Sequence, residues 1–312
     1  MIWPKPQVGI SSCLLGNSVR YDGGHKANKW ILTQLSPFVN WIPFCPEVEM
    51  NLGIPRESMR LVGTSAHPRL VTVKTKNDQT ELAENTSHRL LAKQVELDAF
   101  IFKKDSPCCG LERVKVYGSS GIPTKDGIGI FAKNVRVKYP NIPMIEEGRL
   151  FVEAQREFFL SQLYTYSQFN RLQKNIRSLQ EFHQNHKLQL MAHDPTRYAL
   201  LGRVAANSEK VVISEAYPKY ETLLADLISK PPTMKKYANA FEHMLGYFKK
   251  ELDSKEKTHV LQVLHDYRRS KLPLASVTTL FRFLVDQHAV GYLQNQSILN
   301  SYPEEILTRD ST

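Results

Sequence analysis

The feature that most restricts this chain is a change in the period of its apolar residues near Tyr166. Before that point, short apolar runs alternate with helical spacing. QVGISSC (Gln7 to Cys13) predicts a buried strand running into a small-residue loop. WIPFCPE, RLVTVKT, LDAFIFKK and NIPMIE predict further strands. Helical spacing lies between them at Ala27 to Phe38, Glu81 to Gln94 and Asp126 to Val137, with a long helix expected from Glu147 to about Tyr164. This alternation predicts an α/β, Rossmann-like domain with a mostly parallel sheet, its function in the loops leaving the carboxyl ends of the strands. After Tyr166 five segments in succession show apolar residues three and four apart, which predicts an all-α C-terminal domain. Asp194-Pro195, Lys230-Pro231-Pro232 and Leu272-Pro273 mark its helix boundaries. The expected division is a catalytic domain over 1–165, a linker over 166–177 and a helical domain over 178–312, with the tail poorly ordered beyond Ile306.

A length of 312 residues with 42% hydrophobic content supports two cores, at about 150 residues per domain. MIWPKPQVGI lacks the apolar stretch of a secretory signal, and no window offers the roughly 18 apolar residues of a membrane helix. No membrane association and a cytoplasmic location are therefore expected. In that setting cysteines bind metal or do chemistry more often than they form disulfides. The net charge is +10; residues 1–170 hold 21 Lys and Arg against 16 Asp and Glu, and the remainder carries the same surplus of five. A surplus spread over both halves suits a polyanion lying across folded sequence, with solubility as the plainer explanation.

The four thiols are Cys13, Cys45, Cys108 and Cys109, and they fall where three predicted strands end. A parallel sheet brings such ends together although they are distant in sequence. The closely spaced pairs of a structural zinc site are missing. Three cysteines suit a 4Fe-4S cluster with one iron left open as a Lewis acid. Adjacent side chains point apart, so only one of Cys108 and Cys109 is expected to take part, and the sequence does not rank them. Four buried apolar cysteines are the alternative. Glu47, two residues after Cys45, and Ser106, before the paired cysteines, are candidate acid-base groups. Arg20, Tyr21, Asp22 and Lys26 lie on a glycine-containing loop after Cys13 and are candidate substrate contacts, with an ordinary Asp22-Gly23 turn as the alternative. His183 and His186, at i, i+3 spacing, are weaker metal candidates.

SSCLLGNSVRYDGGHK, FCPEVEMNLGIPRESMRL and KKDSPCCG together resemble the three signature segments of the thiouracil desulfidase family, over about the first 165 residues. The helical half resembles the domain often fused behind that module, and the fusion is similar to desulfidases that act on 4-thiouridine in transfer RNA. The resemblance implies a 4Fe-4S cluster held by Cys13, Cys45 and Cys109, with Cys108 a spare and catalytic roles for Glu47 and Ser106. Met50 and Asn51 stand where a glycine-rich form is more usual. The implied reaction is non-redox removal of sulfur from 4-thiouridine in tRNA, leaving uridine. Free thiouracil or a thionucleoside is an alternative substrate, and a non-catalytic iron-sulfur RNA-binding or redox-sensing protein is an alternative of another class. Lys235, Lys236, Lys249, Lys250, Arg268 and Arg269 are the expected tRNA contacts, against solvated helix faces as the plainer reading.

Overall fold

The computed structural model describes residues 3–93, 95–119, 121–208 and 210–307. The chain divides into two compact units, the first made of residues up to Ser167 together with Pro303 onward, the second of Gln168–Tyr302.

The first unit is built on a four-stranded, wholly parallel sheet. β1 (Gln7–Ser11), β2 (Asn40–Phe44), β5 (Ala99–Phe102) and β8 (Met144–Glu146) lie in the order β2-β1-β5-β8. AFIF in β5 is buried at every position, as a strand covered on both faces requires. Gly9 of β1 sits opposite Phe100 of β5, and a Cβ there would lie 2.4 Å from the Phe100 ring. The glycine thus makes room for an aromatic core in which Phe100 stacks on Phe102, with centroids 4.1 Å apart, and packs beside Phe44 and Phe131. The helices of this unit are α1 (Pro46–Glu49), α2 (Thr80–Ala92), α3 (Ile130–Lys138) and α4 (Glu153–Asn170).

The α/β expectation holds, with differences of detail. A second four-stranded sheet, in the order β4-β3-β6-β7, comprises β3 (Met59–Gly63), β4 (Pro68–Thr72), β6 (Val114–Tyr117) and β7 (Pro123–Gly127). RLVTVKT belongs here, antiparallel to β3, and not to the parallel series. Its apolar alternation specifies a strand but not a partner. Ala27 to Phe38 is not a regular helix: it forms a π-helical turn at Ile31–Leu35 and a 3-10 turn at Ser36–Phe38, where Pro37 lacks the donor to continue. The helix expected from Asp126 starts at Ile130, because Asp126 and Gly127 still belong to β7. Gln94, the expected end of the preceding helix, lies outside the described residues.

The second unit is helical, as expected: α5 (Ile176–Asn185), α6 (Lys187–His193), α7 (Pro195–Ala205), α8 (Ile213–Ile228), α9 (Met234–Leu245), α10 (Ser254–Arg268), α11 (Leu274–His288) and α12 (Gly291–Gln294). The proline joints fall at helix boundaries. Asp194 caps α7, its Oδ1 accepting from the amides of Thr196 and Arg197, with Pro195 in the first turn. The boundary between the units lies within α4, so the first residues of the expected linker are helical through Asn170. Pro303 onward belongs to the first unit and not to the helical domain, with Ile306 buried in the 3-10 turn Glu304–Leu307. The rest of the expected disordered tail, 308–312, lies outside the described residues.

Candidate active site

Three neighbouring parallel strands deliver the cysteines to one place. Cys13 follows β1 by two residues, Cys45 follows β2 directly, and Cys108 and Cys109 lie in the loop after β5. Because β1 lies between β2 and β5, their carboxyl ends are adjacent. The cavity there, of about 420 Å³, is lined by Cys13, Cys45, Cys109, Glu47 and Ser106, and by Arg20, Tyr21 and Lys26 from the loop after Cys13. Asp22 does not line it. That residue turns to Arg20, 3.5 Å away, and to the amide of Gly24. The loop is also a turn, with Gly23 at φ +77°.

The two adjacent cysteines part company. Cys109 lines the cavity, while Cys108 is fully buried and does not line it; burial first, and then the charge of Glu47, push its thiol up. Ser106 holds this turn, its hydroxyl oxygen accepting from the amides of Cys108 (3.2 Å) and Cys109 (3.0 Å). The hydroxyl proton remains available to the cavity. Gly129, at the start of α3, passes close behind: a Cβ on it would lie 2.4 Å from the Cys108 carbonyl oxygen.

Glu47 stands in the first turn of α1 and is gripped by Arg56. The Nη2 and Nε of Arg56 approach its Oε2 at 2.6 and 3.1 Å, and the guanidinium also bonds the carbonyls of Val19 and Gly53. Sequence reasoning missed Arg56, whose only signal was its place within the second signature segment. Also missed was Lys103, which lines the cavity and pairs with Glu147 just beyond β8. Asn51 adopts φ +58°, a left-handed conformation that asparagine tolerates, so it can stand where glycine is more usual. Met50 beside it is buried.

All four thiols are pushed up by burial: Cys13 to about 11, and Cys45, Cys108 and Cys109 upward too. Cys13 feels the charge of Cys45, Cys109 that of Cys45 and Cys13, and Cys45 that of Glu47, while Lys103 and Arg20 favour the Cys13 thiolate and Arg56 the Cys45 thiolate. Among the described residues no three His, Cys, Asp or Glu side chains converge as ligands of a single metal ion. A 4Fe-4S cluster asks for something different, since each thiolate holds a different iron and the sulfurs must surround a cavity. Three desolvated thiols around one cavity fit that need, and a cationic centre would supply the charge that their buried thiolates lack.

The family model described as 2-thiouracil desulfurase matches residues 8–147, which contain every group of this cavity. The uncharacterised protein YbbK of Bacillus subtilis (strain 168) is 32% identical over 108 residues, 32% of this chain and 71% of that protein. The chain belongs to the 2-thiouracil desulfurase family. A second family model, described as a protein of unknown function (DUF1722), matches residues 187–303, so the desulfurase module is fused to a separate C-terminal family. The uncharacterised protein YbgA of Escherichia coli (strain K12) is 25% identical over 135 residues, 43% of this chain and 80% of that protein. A solved structure of a 4Fe-4S-dependent thiouracil desulfidase, TudS, is 25% identical and covers 49% of this chain and 98% of its own, with a TM-score of 0.38.

In the helical unit of this desulfurase-family chain, two of the six expected RNA contacts are already engaged. Lys236 bonds the carbonyl of His193 and lies 3.7 Å from Asp194, and Arg268 pairs with Glu242 at 2.9 Å. Lys235, Lys249, Lys250 and Arg269 are exposed. The weaker metal candidates are core residues. His183 stacks on Tyr198 and bonds the Tyr220 hydroxyl, while His186 stacks on Phe182 and bonds its carbonyl. Burial holds both well below the usual imidazole range, at about 4. Among the described residues no helix is long and apolar enough to cross a membrane.

Proposed function

We propose that the chain removes sulfur from 4-thiouridine in transfer RNA, leaving uridine, with a 4Fe-4S cluster held by Cys13, Cys45 and Cys109. The observation that carries this reading is the meeting of these three thiols with Glu47 and Ser106 around one cavity. When bound, such a cluster would supply a soft Lewis-acidic iron for the thiocarbonyl sulfur. The reaction exchanges C=S and water for C=O and hydrogen sulfide, with no net electron transfer. Glu47, held at Oε2 by Arg56, takes a proton from the attacking water. Ser106, whose oxygen already accepts from two amides, donates its hydroxyl proton toward the base or the departing sulfur. Arg20, Tyr21 and Lys26 orient the ring and exclude bulk water. The cavity lies within the size range of small-ligand sites, about 300–1,000 Å³, which suits a single extracted base.

The basic surplus in both halves and the fused helical unit favour RNA over a small molecule. A second reading, free thiouracil as substrate, is favoured by the description of the matched family. Anaerobically reconstituted protein is incubated with bulk tRNA and, separately, with thiouracil, and the products are read by mass spectrometry. Loss of 4-thiouridine with gain of uridine is expected; sulfur retained in tRNA while thiouracil is consumed establishes the second reading. Glu47→Ala and Ser106→Ala should keep their iron and lose turnover.

A further inference from the structure

Beside the active-site cavity, and sharing Lys104 and Asp105 with it, lies a groove of about 600 Å³ on the same unit. Its floor carries an arrangement that costs stability. β6 and β7 run antiparallel, and Lys115 stands directly opposite Lys125 in their register, so two exposed ammonium groups share one face of the hairpin. Like charges in that position repel. The register shifts at Val114/Lys115, and Arg113, next in chain, is held at φ +55° on the rim of the same groove. Asp105, at the shared edge, is likewise left-handed at φ +61°. Bulges and left-handed residues other than glycine gather where a side chain must be aimed.

The groove's acids do not answer these cations. Glu112 is paired with Arg149, and Glu146 is buried, accepting from the amides of Leu111 and Glu112. Asp126, adjacent to Lys125, turns to Ser65 and Thr124. Asp105 is 4.0 Å from Lys104. Among the described residues Arg113, Lys115 and Lys125 have no ion-pair partner, so three cations line an open groove whose Lys104 and Asp105 also line the cavity of Ser106 and Cys109.

We propose that this groove binds the phosphodiester backbone of RNA next to the nucleotide whose base enters the cavity. The inference rests on the RNA reading above and deepens it: phosphate contacts begin on the catalytic unit itself, at Arg113, Lys115 and Lys125. Phosphates would relieve the Lys115–Lys125 repulsion and answer the spacing of a continuous anion better than a single small ion would.

The test compares the full-length protein with Lys115→Gln/Lys125→Gln, measuring binding of a short oligouridylate with no thiolated base across a salt series. The expected result is binding about tenfold weaker near 0.1 M salt and a salt slope shallower by about two. Thermal unfolding should be at or above that of the parent, since the repulsion is gone. Unchanged affinity and slope overturn the proposal. So does a weakening accompanied by a lower melting temperature and restored by Lys115→Gln alone, which would trace it to folding. Desulfuration of tRNA separates the two readings. Groove-dependent oligouridylate binding with sulfur retained in tRNA removes the function and leaves the groove, whereas tRNA turnover by the double variant with an unchanged KM removes the groove and leaves the function.

Discussion

Removing the guanidinium of Arg56 is the perturbation whose effect is most directly calculable. Its side chain is 3% exposed and that of Glu47 16%, and both close contacts converge on one carboxylate oxygen. Arg56→Met would fill much of the space but leave a largely buried carboxylate without its counter-charge, and the carbonyls of Val19 and Gly53 without their donors. Breaking a buried pair from one side costs about 3–5 kcal/mol. Because Glu47 opens onto the cavity, the lower figure applies, about 3 kcal/mol. For a unit of this size that corresponds to a fall in Tm of roughly 6–12 °C. Urea unfolding of Arg56→Met, Glu47→Gln and the double variant forms a cycle in which the coupling should be about 2 kcal/mol. Arg56→Lys should restore charge but not the fork, recovering part of the stability while turnover stays about 100-fold down, the penalty of a misplaced group. Additive single effects, or a cost for Arg56→Met below about 1 kcal/mol, would refute the claim that this pair both braces the site and aims Glu47.

Four further outcomes are expected. Cys109→Ser should lose iron and turnover together while Cys108→Ser keeps most of both; iron content decides it, and the reverse result reverses the assignment. Gly129→Ala would push a methyl group into the Cys108 carbonyl, costing about 1–3 kcal/mol in denaturant unfolding and lowering iron retention; a neutral effect would mean that the turn can shift without harm. Ile306→Ala, at a buried position in the returning C-terminal turn, should cost about 3 kcal/mol, measured by thermal unfolding. His186 is held at about 4 when folded against 6.5 as a free side chain, and its Nε2 is buried without a partner. The unfolded chain therefore takes up the proton first as pH falls. Stability is fully present above about pH 6.5 and declines by about 3 kcal/mol by pH 4, and His186→Phe should flatten that slope in urea titrations at fixed pH.

The local grammar of the chain was enough for the larger outline. The switch from strand-and-helix alternation to helical spacing separates an α/β unit from an all-α one, and Asp194-Pro195 reads as a helix boundary because such punctuation lies within a few residues. Cysteines placed at the ends of apolar runs marked the carboxyl edge of a parallel sheet before any geometry was known. The second sheet was hidden, since alternation in RLVTVKT and VKVY is satisfied by any partner strand, parallel or antiparallel. Arg56 was hidden too: an arginine nine residues from a glutamate looks like surface charge until the chain folds back and buries both. The same holds for the paired cysteines. Side by side in sequence they are chemically identical, and what separates them is a serine-braced turn packed against Gly129, which faces Cys109 to the cavity and leaves Cys108 buried outside its lining. Periodicity and capping are short-range and survive in sequence; strand partners, ion pairs and the facing of one side chain are set by groups that only the folded chain brings together.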